Sequence, residues 1–272
     1  MKYIRGNKMQ SDEKPVRFFA RHFVRLCGMA VTHDIDGNET KQYLNYSAFI
    51  ISYEGHWTLV TAGHIIEDIE KLYAAGGRFA DVALDDSAAA DATCVYPLPF
   101  DYQSAPKMHI FDEENGIDIG LIALSNFYCQ GLIKNNIEPL SEQSWQIDTP
   151  AEFDAYWLFG LPAERVIDQG NGGKVGYVML HLNLVEDIPV DMRKPFPRFY
   201  AQITDKGSLK SIEGMSGGPI FGIKAQADDR QFYWLVAVQS GWRSDIGLVT
   251  ACPINAFFEC IRSEMAAKGL IY

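Results

Sequence analysis

The sequence predicts an all-β protein built from two strand-rich halves and closed by a C-terminal helix. Three observations carry that prediction. Many short apolar or alternating runs are bounded by Gly, Pro, Asn or Asp, the pattern of strands and their turns. Helical spacing is clear in only two places. The segment from about Leu132 to Pro150 is polar and weakly patterned, and reads as a linker between the halves.

In chain order, the strand runs of the first half are FVRLCGMAV (23–31), YSAFIISY (46–53), HWTLVTA (56–62) and IDIGLIAL (117–124). Those of the second half are DAYWLFGL (154–161), KVGYVMLHLNL (174–184), FYAQIT (199–204), GGPIFGI (217–223) and FYWLVAVQS (232–240). Between them, HIIEDIEKLYAA (64–75) places Ile65, Ile69, Leu72 and Tyr73 on one helical stripe. The final PINAFFECIRSEMAAKG (253–269) has Pro253 suited to a helix start and Gly269 to its stop. The acidic, alanine-rich DVALDDSAAADA (81–92) lacks the carboxylate spacing of a calcium loop and reads as a solvated loop. QGNGGKVG (169–176) lacks the earlier Gly and the Ser or Thr of a phosphate loop, and reads as a hairpin turn.

Composition narrows the function. Of 272 residues, 47% are hydrophobic and 22% charged, ordinary globular proportions. A formal net charge of −11 argues against a nucleic-acid partner, which needs a surplus of Lys and Arg on at least one face. No apolar run reaches 18 residues, so no membrane partner is expected. Cys27, Cys94, Cys129, Cys252 and Cys260 lack CxxC pairing and metal spacing, so neither a metal nor a disulfide framework is expected, and no cofactor is implied. An odd cysteine count without a recognisable secretory signal suggests free thiols and a cytoplasmic location.

The chemistry concentrates in SIEGMSGGPIFGI (211–223), where three glycines and a proline surround Ser216. A serine hydroxyl needs a neighbouring base to become a nucleophile, and histidine is the usual one. All six histidines, at 22, 33, 56, 64, 109 and 181, precede Ser216. That order excludes the nucleophile elbow of α/β-hydrolases, whose histidine follows the serine. Gly217, Gly218 and Pro219 are poor helix formers, so Ser216 belongs to a turn leading into a strand rather than opening a helix. LVTAGHII (59–66) is a strand ending in small residues and then His64, and NGIDIGLIAL (115–124) places Asp118 at the mouth of a very apolar strand. A carboxylate buried there needs a partner.

TAGH (61–64), DIGL (118–121) and GMSGGP (214–219), in that order, resemble the signatures of the trypsin-like, chymotrypsin-fold serine peptidases. The resemblance covers roughly residues 18 to 265. It implies two six-stranded antiparallel β-barrels with the active site between them: an extension over 1–17, a first barrel over 18–140 with His64 and Asp118, a second over 141–252 with Ser216, and a helix over 253–272. It further implies peptide-bond hydrolysis, with Ser216 as nucleophile, His64 as general base and acid, and Asp118 holding the imidazole. The backbone N–H groups of Gly214 and Ser216 would form the oxyanion hole. The strand AVQSGW (237–242) would meet an extended peptide through Gln239, Ser240 and Gly241. The floor of the specificity pocket would fall near Lys210, which suggests an acidic or polar preference.

Three departures from the family pattern matter. Ile65 stands where secreted relatives carry a cysteine, Met215 replaces the acid that pairs with a freshly cut amine, and no Ile/Val-Val/Ile-Gly-Gly start is present. Restraint of activity would then come from narrow specificity or an activating partner protein. The alternatives are a non-catalytic trypsin-like fold serving as a protein-binding module and, more remotely, an esterase using the same three residues. His56 could face the cleft. The other histidines, with the aromatic groups at 156–157, 232–234 and 257–258, are assigned to surface or packing.

Overall fold

The computed structural model describes residues 7–8, 15–89, 97–145, 149–167, 174–226 and 230–267. Strands β1 (Arg25–His33), β2 (Glu39–Tyr46), β3 (Phe49–Tyr53), β4 (His56–Thr61), β5 (Arg78–Asp85), β6 (Lys107–Asp112) and β7 (Ile117–Ala123) make the N-terminal lobe. One antiparallel sheet runs β2-β1-β5, and a second runs β3-β4-β7-β6. The chain passes from β2 to β3 through a bend at Ser47 and Ala48, and a bridge between Phe23 and Phe49 joins the sheets. With β2 and β3 taken as one bent strand, the lobe is the expected six-stranded barrel-like unit. Val24, Leu26, Ile50, Leu59 and Ile122 fill its interior, each fully buried.

The C-terminal lobe holds β8 (Ala155–Gly160), β9 (Val178–Leu184), β10 (Phe199–Ile203), β11 (Pro219–Ala225), β12 (Gln231–Arg243) and β13 (Leu248–Pro253). They run β12-β11-β8-β9-β10-β13, and pairing of β12 with β13 closes the barrel. Closure leaves the sheet no open edge over most of its length. Leu158, Leu180, Ile220 and Val249 pack inside.

Helices α1 (Pro15–Ala20), α2 (Gly63–Ala74), α3 (Asn126–Lys134) and α4 (Ile254–Ala267) decorate the two lobes. Each terminal helix is apolar on the face that meets the lobe distant from it in sequence. Phe19 of α1 stacks on Phe221 of β11 with ring centroids 4.3 Å apart, and Phe18 meets Tyr233 of β12 edge-on at 5.3 Å. Phe258 of α4 meets Tyr53 of β3 and Trp145, each at 5.4 Å. Burial of each such aromatic side chain stabilises the docked lobes by roughly 2–3 kcal/mol. His22 adds a polar strut: Nδ1 donates to the Glu138 carbonyl at 2.6 Å, which leaves Nε2 to accept from the Tyr233 hydroxyl at 3.0 Å. Burial pushes its pKa down to about 4, so the ring is neutral near pH 7.

Two sequence expectations need correction. The stretch 81–92 is not a solvated loop over its first half: Arg78–Asp85 is strand β5, with Phe79 and Leu84 buried, because its backbone pairs antiparallel with β1 although its side chains follow no regular alternation. Residues 90–92 lie outside the described residues. The proposed linker at 132–150 is largely packed. Leu132 belongs to α3, Leu140 bridges Ile51, and Leu140 and Trp145 are buried. Its apolar residues follow neither regular period, yet Leu132 and Ile137 pack into the N-terminal core, and Leu140 and Trp145 join the cluster that also holds Phe159 and Phe221.

The expected strand over 174–184 is interrupted at Gly176 and Tyr177. The tip of the expected hairpin at 169–173 lies outside the described residues, while Val166–Ile167 and Lys174–Val175 beside it pair antiparallel. Gly269 also lies outside them. Cys27, Cys129 and Cys252 are buried free thiols; Cys94 and the side chain of Cys260 lie outside the described residues. No helix among the described residues is long and apolar enough to cross a membrane.

Candidate active site

Strand β4 ends at Thr61, and the chain turns through Ala62 directly into α2, which makes His64 the second residue of that helix. A helix start leaves its first N–H groups without intrahelical partners. The flanking Ala62 has no side chain to cap them. Asp118, on β7 and 3% exposed, does so: its Oδ1 accepts the His64 backbone N–H at 2.9 Å. Its Oδ2 accepts from His64 Nδ1 at 2.8 Å. One carboxylate thus fixes both the backbone and the ring of the same residue. Because a carboxylate only accepts, Nδ1 carries a proton, and in the neutral ring Nε2 keeps its lone pair.

His64 has a raised pKa. Burial acts to lower it, but the hydrogen bond and charge of Asp118, with the charges of Asp68 and Glu67, outweigh that effect. Phe111, opposite Asp118 in the β6–β7 register, sets its ring edge-on to the imidazole at 5.8 Å. The ring limits the imidazole to one orientation on that side.

Ser216 sits in the turn that leads into β11, as expected from its glycines. Gly214 has φ of 88° and Gly217 has φ of 89°, both in the region that disfavours any side chain. At Gly217 space forbids one too, since a Cβ would lie 2.2 Å from the Ser47 carbonyl oxygen and 2.3 Å from Thr61 Oγ1. The serine turn therefore presses against the β4 end that delivers His64. Met215 is fully buried beside Gly160 and anchors the turn by packing. The Glu213 carbonyl accepts from Ala163 N–H at 2.7 Å. In a trans peptide the next N–H points the opposite way, so Gly214 N–H faces away from Ala163. Neither this N–H nor that of Ser216 has a protein acceptor among the described residues.

Two residues that sequence reasoning missed hold the lobes in register. Ser47 Oγ donates to the Gly214 carbonyl at 2.8 Å and accepts from Leu161 N–H at 3.1 Å. Thr61 Oγ1 donates to the Ser47 carbonyl at 2.9 Å. Thr61 lies inside the TAGH motif, but a serine at a strand bend carries no sequence signal of its own. Phe111 was also unmarked, being one aromatic residue in a half-buried strand.

Two cavities flank the site. The larger, about 680 Å³, is lined by His64, Asp118, Phe111, Arg198, Ser240 and Gly241 among others. The smaller, about 360 Å³, is lined by Lys210, Ser211, Ile212, Glu213, Ser216, Gln239, Trp242 and Ser244. Lys210 and Gln239 thus share a cavity with Ser216, while Ser240 and Gly241 share one with His64. No hydrogen bond joins Ser216 Oγ to His64 among the described residues. The main chain of Gln239 is engaged internally, its carbonyl accepting from Gly217 N–H at 2.8 Å and its N–H donating to Gly218 O at 2.9 Å. Beyond Val238, β12 pairs with β13 on one side and loses β11 on the other. Its edge from Ser240 onward is open to an added strand. His56 is exposed and lines neither cavity.

Among the described residues, no group of three or more His, Cys, Asp or Glu side chains is placed to hold a metal. The chemistry on offer is a base, an orienting acid, a hydroxyl and two free amides.

No family model and no curated protein matches the chain. Solved structures do. One is the thermostable serine protease AL20 from an extremophilic microorganism, at 13% identity and TM-score 0.44 over 86% of this chain and 91% of that one. Another is an inactive serine-to-alanine form of Rv3671c from M. tuberculosis H37Rv, at 12% and 0.43 over 94% and 98%. A third is a Glu endopeptidase in complex with MPD, at 13% and 0.46 over 97% and 100%. The chain is similar in fold, at low identity, to serine proteases.

Proposed function

We propose that the protein is a serine endopeptidase that works through an acyl-enzyme, with His64, Asp118 and Ser216 as its reacting group. The observation that supports this reading is the His64–Asp118 pair, in which Asp118 accepts both the backbone N–H and the Nδ1–H of His64 and so suits the neutral ring's Nε2 to act as a base. Ser216 Oγ attacks the peptide carbonyl carbon, and its proton passes to Nε2. The charge that forms on the carbonyl oxygen is met by the N–H groups of Gly214 and Ser216. Loss of one such donor ordinarily costs about 10²–10³ in rate. Collapse breaks the C–N bond, and the Nε2 proton leaves with the amine. A water then gives its proton to Nε2 and its oxygen to the acyl carbon, and Ser216 regains its hydrogen as the second product departs.

Asp118 stays ionised throughout and stabilises the imidazolium. An extended substrate pairs with the open edge of β12 at Ser240 and Gly241, which favours a peptide over a simple ester. Met215 matters here because packing, rather than an ion pair to a cut amine, holds the serine turn. Proteolytic activation is then unnecessary.

A binding module without catalysis is the second reading, favoured by the missing Ser216–His64 hydrogen bond. Such bonds are commonly long in unliganded enzymes and tighten with substrate. A fluorophosphonate probe separates the two. The enzyme reading expects covalent labelling of the wild-type protein and none of Ser216→Ala. Absence of labelling in both would leave the binding module.

A further inference from the structure

Two residues that line the smaller cavity each carry a buried polar side-chain atom that the protein leaves unused among the described residues. Gln239 is 1% exposed, and its Oε1 has no hydrogen-bond partner. Its Nε2 donates to the Gly241 carbonyl at 3.1 Å. That carbonyl can only accept, so the amide orientation is fixed and the unsatisfied atom is the oxygen. Trp242 Nε1–H is likewise buried without an acceptor. Both residues line the cavity that Ser216 lines. An unpaired buried acceptor or donor is costly, so a lone one calls for explanation, and two on residues that line one pocket point to a ligand.

A ligand that satisfies both atoms must present an N–H to Gln239 Oε1 and an oxygen to Trp242 Nε1–H. A primary carboxamide carries both an N–H donor and an oxygen acceptor in one planar group. A carboxylate brings its negative charge against an amide oxygen, and an apolar side chain leaves both atoms unsatisfied. The ionised groups of the lining do not reverse this preference, because Lys210 and Glu213 are both exposed and of opposite charge.

We propose that this cavity takes a glutamine or asparagine side chain, the residue whose carbonyl Ser216 attacks, with Gln239 and Trp242 as its specificity-determining pair. The proposal rests on reading Ser216 as the reacting residue. It also reassigns Gln239: the side chain, rather than the already engaged main chain, meets the substrate.

The test titrates Ser216→Ala protein with three short peptide amides ending in Gln, Glu or Met, so that binding is read without turnover. The glutamine peptide is expected to bind at least tenfold more tightly than either of the others. In the double variant carrying Gln239→Met, the glutamine preference over methionine, read as the ratio of the two dissociation constants within that variant, should shrink to twofold or less. Equal or tighter binding of the glutamate or methionine peptide overturns the proposal, as does no binding of any of them. Those titrations of Ser216→Ala need no change at residue 239, so a misfolded double variant does not spoil them. Fluorophosphonate labelling of the wild-type protein reports the hydrolase reading separately: labelling with a glutamate preference removes only the pocket assignment, and glutamine binding without labelling removes only the hydrolysis.

Discussion

The two lobes reach the cleft in opposite ways. The N-terminal lobe delivers groups whose hydrogen bonds are already made: His64 is held at ring and backbone by one buried carboxylate. The C-terminal lobe delivers groups without a partner among the described residues: the Ser216 hydroxyl, two amides, the Gln239 side-chain oxygen and the Trp242 indole N–H. The difference teaches what each kind of group is for. Satisfied groups fix a protonation state and an orientation, whereas unsatisfied ones fit a charge or a substrate that arrives later. Ser47, bonded to both the Gly214 carbonyl and Leu161 N–H, ties the open set to the closed one.

That contrast breaks most sharply at the hydroxyl. Ser216→Ala should lower kcat for peptide hydrolysis by about 10⁵–10⁶ while leaving peptide binding intact, as measured by steady-state kinetics beside a titration. Asp118→Asn should cost about 10⁴ in kcat, since an amide in that place stabilises the wrong tautomer of His64. Ser47→Ala tests the tie itself. It strands a buried N–H and a buried carbonyl, so the fold should lose about 1–3 kcal/mol in denaturant melts. It should also loosen the Gly214 peptide, with kcat falling by roughly 10- to 100-fold, less than outright loss of an oxyanion donor.

Smaller effects follow from pH. The raised pKa of His64 keeps the base protonated to higher pH than a free histidine, so the rising limb of the kcat/KM profile should have its midpoint above 6.5. Replacing Asp68 with Asn should move that midpoint down, since its charge is one of those that raise it. The same shift means that protonated His64 contributes stability fully below pH 6.5, and that this is lost as pH rises through its folded pKa.

Asp86, outside the cleft, provides the mildest test. Burial pushes its pKa up to about 6; its hydrogen bond from Asn135 acts the other way, and neighbouring Asp85 adds to the rise. A raised carboxylate favours the fold while protonated, so its contribution is complete below pH 3.8 and lost as pH climbs through 6. Asp86→Asn should therefore gain on the wild type between pH 4 and 7, by on the order of 1–2 kcal/mol, seen as a Tm difference that widens with pH.

The sequence makes the two-barrel plan legible wherever strands alternate or run apolar, as in TLVT before His64 and IDIGLIA around Asp118. It hides strands that break those patterns. β2 (ETKQYLNY) is mostly solvent-exposed, so no buried face marks its period, and β5 carries alanines and acids that resemble loop. Trp145 and Leu140 are isolated apolar residues whose burial depends on two lobes meeting. The positions of His64, Asp118 and Ser216 can be singled out because TAGH, DIGL and GMSGGP together resemble one family's ordered signatures; beside Ser216 the glycines 214 and 217 take positive φ, and at Gly63 and Gly120 a Cβ would meet backbone. Ser47 cannot be singled out, and Gln239 is marked only as a main-chain contact on the strand the resemblance implies, not by its side chain. A glutamine in a strand and a serine at a bend gain meaning only from which of their atoms find partners, and those partners are distant in sequence.

The central claim is that the satisfied pair in one lobe activates the open hydroxyl in the other. The most direct measurement is the rate at which a fluorophosphonate modifies Ser216 in wild-type protein and in His64→Ala, followed by intact mass. Activation by His64 predicts wild-type labelling about 10³-fold faster than the variant. Equal rates in the two proteins, or no reaction at Ser216 in the wild type, would contradict it.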